Sequence, residues 1–310
     1  MWSDVEIIGA IRLSDPTLEA TPTGVLSIIA HYSRPNVYTF SKPHDMYLTT
    51  YHYSAEGPLI TTTSYEGKHL GRLHSISYII GVVGDNIYLT GFSAINAVIS
   101  SFNMCTRTFT FRGYVEHPSC TFVLSSECFF VCGGINNNSF WRRNLITGEE
   151  TALPDMIVDK MLYGHYFYRD SVYIFGGRSG DRTLRDCERF DVKENKWYKL
   201  PLMPRAGSDI RVIEKDGCLI LVTIEEWVFS YSPEKNTWTT LEWDEHFMKL
   251  SLESFQYNRG RFWAISEPTN YDSTTIWEST TPEKPWNPIL KRAKVNRGPK
   301  VHTFLHLMDE

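Results

Sequence analysis

The sequence predicts an all-β chain assembled from repeated four-stranded units, and three observations carry that prediction. It holds 17 Tyr, 17 Phe and 9 Trp in 310 residues, mostly in short runs of β-branched and aromatic residues punctuated by Gly, Asn and Asp, with few helical signatures. One kind of apolar run, ending at Ser41, Gly91, Gly134, Gly177, Thr223 and Ser266, recurs at steps of about 50, 43, 43, 46 and 43 residues, a spacing expected of radially repeated sheets. Aromatic pairs seven residues apart, Phe102 with Phe109, Phe190 with Trp197 and Tyr231 with Trp238, follow three of these runs.

Composition sets outer limits on what such a chain does. Hydrophobic residues at 42% and charged residues at 22% exclude disorder as the main state. The net charge of -5 leaves no global field to draw in nucleic acid or an anionic membrane. No window reaches the ~20 apolar residues that a membrane-spanning helix needs. Asp4 and Glu6 stand where an export signal would be positively charged, so a cytoplasmic location is expected. The six cysteines lie mainly in apolar runs and are expected to be reduced and buried.

The units can be justified in order. The first, approximately 24–64, comprises the runs Val25–His31, Asn36–Ser41, Met46–Tyr53 and Leu59–Ser64, and lacks a glycine pair. The second, approximately 72–113, keeps one glycine at the end of Asn86–Gly91. In the third, approximately 117–154, Phe129–Gly134 ends in Gly-Gly and the unit closes on Leu153-Pro154, with Glu150 where Trp is expected. The fourth, approximately 160–202, is the clearest. Arg169-Asp170-Ser171 turns a hairpin, and Gly176-Gly177 permits positive φ and close backbone approach. Phe190 and Trp197 fill the space between sheets, and Leu200-Pro201 closes the unit. The fifth, approximately 205–242, replaces both glycines in Cys218–Thr223 yet retains Tyr231 and Trp238. The sixth, approximately 247–290, offers Arg261–Ser266 followed by Trp286. Segments 1–23 and 291–310 hold two further strand-like runs, Val5–Leu13 and Val301–Leu307. One or both are expected to complete the first or last unit, because a ring of sheets left open would expose apolar faces and strand edges.

The fourth unit resembles the kelch repeat, in which an apolar strand ends in Gly-Gly and is followed by an aromatic residue and then a Trp on the outer strand. The resemblance is strongest over residues 70–242. It implies an all-β, six-bladed kelch-type β-propeller, a single domain over 1–310 closed by terminal strands. Propellers built from WD repeats need recurrent Gly-His and Trp-Asp pairs, whereas Gly164-His165 and Trp243-Asp244 each occur once. Because the repeats use nearly the whole chain, any BTB, F-box or other adaptor domain is expected on another polypeptide.

The resemblance also implies a function: a non-catalytic protein-interaction module or structural scaffold component that binds a partner through loops at one rim of the propeller channel. On this chain the matching loop residues are Arg178, Arg182 and Arg185 after one glycine pair, and Asn136, Asn137, Trp141 and Arg142 after the other, with Arg72 and Arg205 preceding inner strands. Planar guanidinium groups suit carboxylates, and an aromatic beside them adds contact area. The expected partner is a protein: an acidic segment, a cytoskeletal protein, a ubiquitin-ligase subunit or a larger assembly. The competing reading is that these arginines pair with Asp181 and Asp186 as ordinary surface residues. A second functional class is a small-molecule enzyme of the kelch-like type acting on a sugar, such as a mutarotase. No catalytic motif, cofactor or metal site is assigned. His302 with His306 and Cys128 with Cys132 share strand faces, but burial as small core residues is the simpler expectation for the thiols. The basic run Lys291–Arg297 reads as a solvated connector.

Overall fold

The computed structural model describes residues 24–30, 36–41, 46–54, 57–65, 78–92, 97–103, 106, 108–115, 120–134, 137–223, 227–242, 251–258, 260–266, 275–281, 286–291 and 301–307, and among them there is no helix. The strands form successive antiparallel meanders in which each strand pairs with the next along the chain. The first sheet contains β1 (Gly24–Ala30), β2 (Asn36–Ser41), β3 (Met46–Ser54) and β4 (Gly57–Tyr65). The second contains β5 (Tyr78–Val83), β6 (Asn86–Phe92), β7 (Ala97–Asn103) and β8 (Thr108–Val115). The third contains β9 (Thr121–Leu124), β10 (Cys128–Gly134), β11 (Asn137–Asn144) and β12 (Glu150–Leu153). In the fourth, β13 (Gly164–Tyr168) and β14 (Ser171–Phe175) are followed by a small separate hairpin, β15 (Arg178–Ser179) with β16 (Arg182–Thr183), before β17 (Cys187–Asp191) and β18 (Lys196–Leu200) complete the sheet. The fifth contains β19 (Arg211–Lys215), β20 (Cys218–Val222), β21 (Val228–Ser232) and β22 (Thr237–Thr240). The sixth contains β23 (Ser251–Asn258), β24 (Arg261–Ser266), β25 (Thr275–Ser279) and β26 (Asn287–Lys291).

The last described strand, β27 (Val301–Leu307), lies parallel to β1, from Gly24 opposite Val301 to Ala30 opposite Leu307, and gives the first sheet a fifth strand. Of the two terminal runs expected to join a sheet, this one does so. Val5–Leu13 lies outside the described residues.

Contacts divide the chain into two compact units. The first is Met1–Ala94, Val98–Tyr114 and Asp244–Glu310; the second is Ile95–Ala97 and Val115–Trp243. Within the first, Phe255 and Phe262 of the sixth sheet stack at 5.6 Å between ring centroids, with Trp286 6.2 Å from Phe255.

The second unit shows how its sheets hide one another's apolar faces. Successive residues of a strand point to opposite faces. Val172 and Ile174 of β14 therefore join Phe130, Cys132 and Phe140 of the third sheet in one core. Tyr173 and Phe175 of the same strand join Leu219, Leu221 and Tyr231 of the fifth sheet in another. The middle sheet is buried on both sides, which is why β14 reads as an uninterrupted apolar run rather than an alternating one.

The seven-residue aromatic spacing has a direct cause. Phe190 is paired across the hairpin with Trp197, and Tyr231 with Trp238. Each Trp then donates its indole N–H to a proline carbonyl in the segment that leaves the preceding sheet, Trp197 to Pro154 at 2.8 Å and Trp238 to Pro201 at 3.0 Å. The Leu-Pro closure and the Trp are thus two halves of one link between neighbouring sheets. In the third sheet Arg143 faces Glu150 at the same seven-residue separation and forms an ion pair at 2.9 Å, so a charged pair occupies the place of the aromatic one.

The expected hairpin turn is also present: Tyr168 pairs with Ser171, and Arg169 and Asp170 have φ of 46° and 55°. Two successive positive φ values match the right-handed twist of the flanking strands. Asp216 and Gly217 make the corresponding turn in the fifth sheet, at 51° and 80°.

Candidate functional site

The loops at one end of the second unit are held together from the glycine pair outward. Gly176 and Gly177 have φ of 57° and 97°. A Cβ on Gly176 would sit 2.6 Å from the Gly207 carbonyl oxygen, and one on Gly177 would sit 2.6 Å from that of Met161. Only glycine lets the backbone pass between these two loops, which arrive from the third sheet and depart for the fifth. The contacts are hydrogen bonded: Gly177 N–H donates to Gly207 O, Met161 and Arg178 exchange both backbone bonds, and Asp209 N–H donates to Leu162 O, all at 2.8–2.9 Å.

From this base the hairpin β15–β16 projects. Arg178 lies opposite Thr183 and Ser179 opposite Arg182, with Gly180 in the turn at a φ of 56°. Both arginines are exposed. Among the described residues neither forms an ion pair, although Asp181 and Asp186 lie in the same loop. Asp155, Asp159 and Asp181 are exposed on these loops as well, so the surface is of mixed charge rather than uniformly basic.

The other two arginines of this end are fixed in place. Arg185 donates from Nε to the Met203 carbonyl at 2.5 Å. Arg205 lies over the Trp227 ring, its guanidinium carbon 3.4 Å from the ring centroid, a cation–π stack between the loop that precedes β19 and the one that precedes β21.

Beneath these loops is a buried ion pair. Lys160 Nζ is 2.8 Å from Glu188 Oε1, with side-chain exposures of 0% and 2%. Lys160 also donates to the Asp186 carbonyl at 3.2 Å, and Ile157 N–H donates to Glu188 Oε2 at 2.7 Å. This ties the loop entering the fourth sheet to the third strand of that sheet.

Burial holds one imidazole and three thiols near these loops and strands in their neutral forms at neutral pH. Burial, followed by the charge of Arg211, pushes His165 down to about 4, against the backbone of Tyr163, which favours the protonated ring. Burial pushes the thiols of Cys120 and Cys187 up to about 12 and that of Cys132 well above its ordinary value. Such thiols are poor nucleophiles.

Of the residues expected at the rim, Arg178, Arg182, Arg185 and Arg205 come together on the stitched loops. Asn137, Trp141 and Arg142 are instead part of β11. Gly134 already pairs with Asn137, and the strand that starts there delivers Phe140 to the core and leaves Trp141 and Arg142 half-buried on it. Asn137 accepts from Ser139 N–H at 2.8 Å at the start of that strand. Arg72 and Asn136 lie outside the described residues. Sequence reasoning missed Trp227, whose pairing with Arg205 joins the loop entering the fifth sheet to a loop within it, and Leu162, which carries no motif.

Comparisons with known proteins agree with this construction. The family model for the kelch motif matches residues 167–204, the stretch from β13 through β18 into the following loop. The chain is 22% identical over 261 residues to kelch repeat protein C2 of Vaccinia virus strain Western Reserve, covering 78% of this chain and 47% of that protein. The identity and coverage are the same for the C2 protein of Cowpox virus strain GRI-90. The kelch repeat and BTB domain-containing protein 2 of that strain is also 22% identical, over 141 residues, covering 43% of this chain and 25% of that protein. The chain therefore spans about half the length, or less, of these curated relatives. The chain thus carries a kelch motif in its fourth sheet, is similar over most of its length to kelch repeat proteins, and repeats the glycine pair in its third sheet and the turn and Trp-to-proline link in its fifth.

Proposed function

We propose that this chain is a non-catalytic protein-interaction module that takes an acidic segment of a partner protein on the loop end of its second unit. One observation carries the reading: Arg178 and Arg182 stand exposed without a carboxylate partner among the described residues, beside acidic residues of their own loop. Passive surface arginines so placed would be expected to pair locally. Arg205, stacked on Trp227, supplies a third guanidinium with little freedom left to lose on binding. Arg and Trp are also the residue types that dominate interface energetics.

The test is charge reversal. A variant carrying Arg178→Glu, Arg182→Glu and Arg205→Glu should unfold at the same temperature as the parent within about 2 °C, since exposed surface changes are worth little. It should lose at least about tenfold in affinity for acidic peptides selected on the parent. Parent binding should weaken steadily between low and physiological salt. Unchanged affinity in a folded variant would end this reading.

We infer further that the six meanders are the blades of one propeller, with β27 as its closing strand. Two features support this: the repeat period, and the burial of the fourth sheet on both faces. A single closed domain of this length should have a radius of gyration of about 19 Å by small-angle scattering. A markedly larger value would refute the single closed propeller.

A further inference from the structure

Resting on the reading above, we propose that Leu162 is the apolar anchor of that binding surface, and that the partner segment presents a large apolar side chain next to the carboxylate received by Arg178. Leu162 has a φ of 55°, in the left-handed region, where an L-residue with a branched aliphatic side chain is disfavoured. It is also 45% exposed, so the core does not require its side chain.

The next repeat provides an internal control. Leu162 stands two residues before the inner strand β13, and Asp209 stands two residues before the inner strand β19. Asp209 is left-handed as well, at 49°. The backbone of this inter-sheet loop therefore calls for a left-handed residue in both repeats. In one it is met by Asp, which tolerates that conformation, and in the other by Leu, which does not. What Leu162 adds over Asp or Asn is an apolar surface turned to solvent, and an observed backbone outlier of this kind points to function.

Its neighbours define the occupant. Met161 is locked to Arg178 by two backbone hydrogen bonds, and the carbonyl of Leu162 is held by Asp209 N–H at 2.8 Å. The anchor and an exposed guanidinium thus share one rigid base. Ile157, 40% exposed, lies earlier in the same loop as Leu162, and Leu202, 53% exposed, in the loop that leaves the fourth sheet. Charge complementarity with Arg178 and Arg182 selects an acidic segment, and Leu162 selects one with an adjacent aliphatic or aromatic residue.

The probe is a random peptide library displayed on phage, panned on the parent protein. The enriched peptides should pair an acidic residue with a large apolar one. Leu162→Asn, which suits the left-handed backbone, should keep the melting temperature within about 2 °C of the parent, or raise it, while weakening those peptides at least about tenfold. Leu162→Met should retain binding within about threefold. A melting temperature lowered by more than about 5 °C in Leu162→Asn would make Leu162 a structural residue and overturn the proposal. So would unchanged affinity in that variant, or a failure to enrich acidic–apolar peptides. Peptides that depend on Arg178, Arg182 and Arg205 but not on Leu162 would refute the anchor and leave the acidic-segment reading standing; peptides indifferent to all four would refute both.

Discussion

Glu188→Ala should destabilise the protein by about 3–5 kcal/mol, among the largest effects available to a single substitution in the second unit. The substitution leaves the Lys160 ammonium, with a side-chain exposure of 0%, facing only the Asp186 carbonyl, and strips Ile157 N–H of its acceptor. Glu188→Gln keeps an oxygen for Ile157 and should cost less. Replacing both partners, Lys160→Met with Glu188→Leu, removes the buried charges together and should recover most of the loss, because a matched apolar pair avoids the desolvation penalty. The exposed pair of Lys193 with Asp170, with side-chain exposures of 79% and 59%, serves as the control: Lys193→Met should give no resolvable change. Urea unfolding of the four variants at constant m-value measures all of this. A double variant no more stable than Glu188→Ala would show that the loop attachment, rather than charge pairing, is what Lys160 supplies.

How much of this was legible in the sequence follows from the range of each interaction. The strands of the fourth sheet, its turn at Arg169–Asp170 and its glycine pair are set by residues a few positions apart, and they lie where the repeat pattern puts them. The Phe190–Trp197 spacing was legible because cross-strand neighbours around a tight hairpin sit at a fixed separation. The loop after the glycine pair of the third sheet was misjudged because nothing local says where a loop ends: Trp141 and Arg142 look like loop residues until Phe140 is known to be in the core. The Lys160–Glu188 pair, the Arg205–Trp227 stack and the left-handed Leu162 all join different loops or strands, so no local pattern announces them. The four arginines were found as residue types, but that Arg178 and Arg182 form no ion pair among the described residues is a fact of geometry alone.

Trp197→Ala should cost about 3–5 kcal/mol, comparable to Glu188→Ala but for a different reason. The indole fills space between the third and fourth sheets, 4.9 Å from the Phe140 ring centroid and 5.3 Å from that of Phe190, and only 8% of the residue is exposed. Its loss leaves a cavity that strands on both sides cannot collapse into without breaking their ladders. The hydrogen bond to Pro154 is the smaller part, because Pro154 is exposed and water can replace the donor. Trp197→Phe isolates that part: it keeps a ring in place and should lose only about 1–2 kcal/mol. If Trp197→Phe proved as damaging as Trp197→Ala, the link to proline rather than ring packing would hold these sheets together. Hydrogen exchange gives the second readout. In Trp197→Ala, protection should fall in β11 and β12 as well as in β17 and β18, because the residue belongs to a core that both sheets share, whereas a residue serving one sheet alone would loosen only its own.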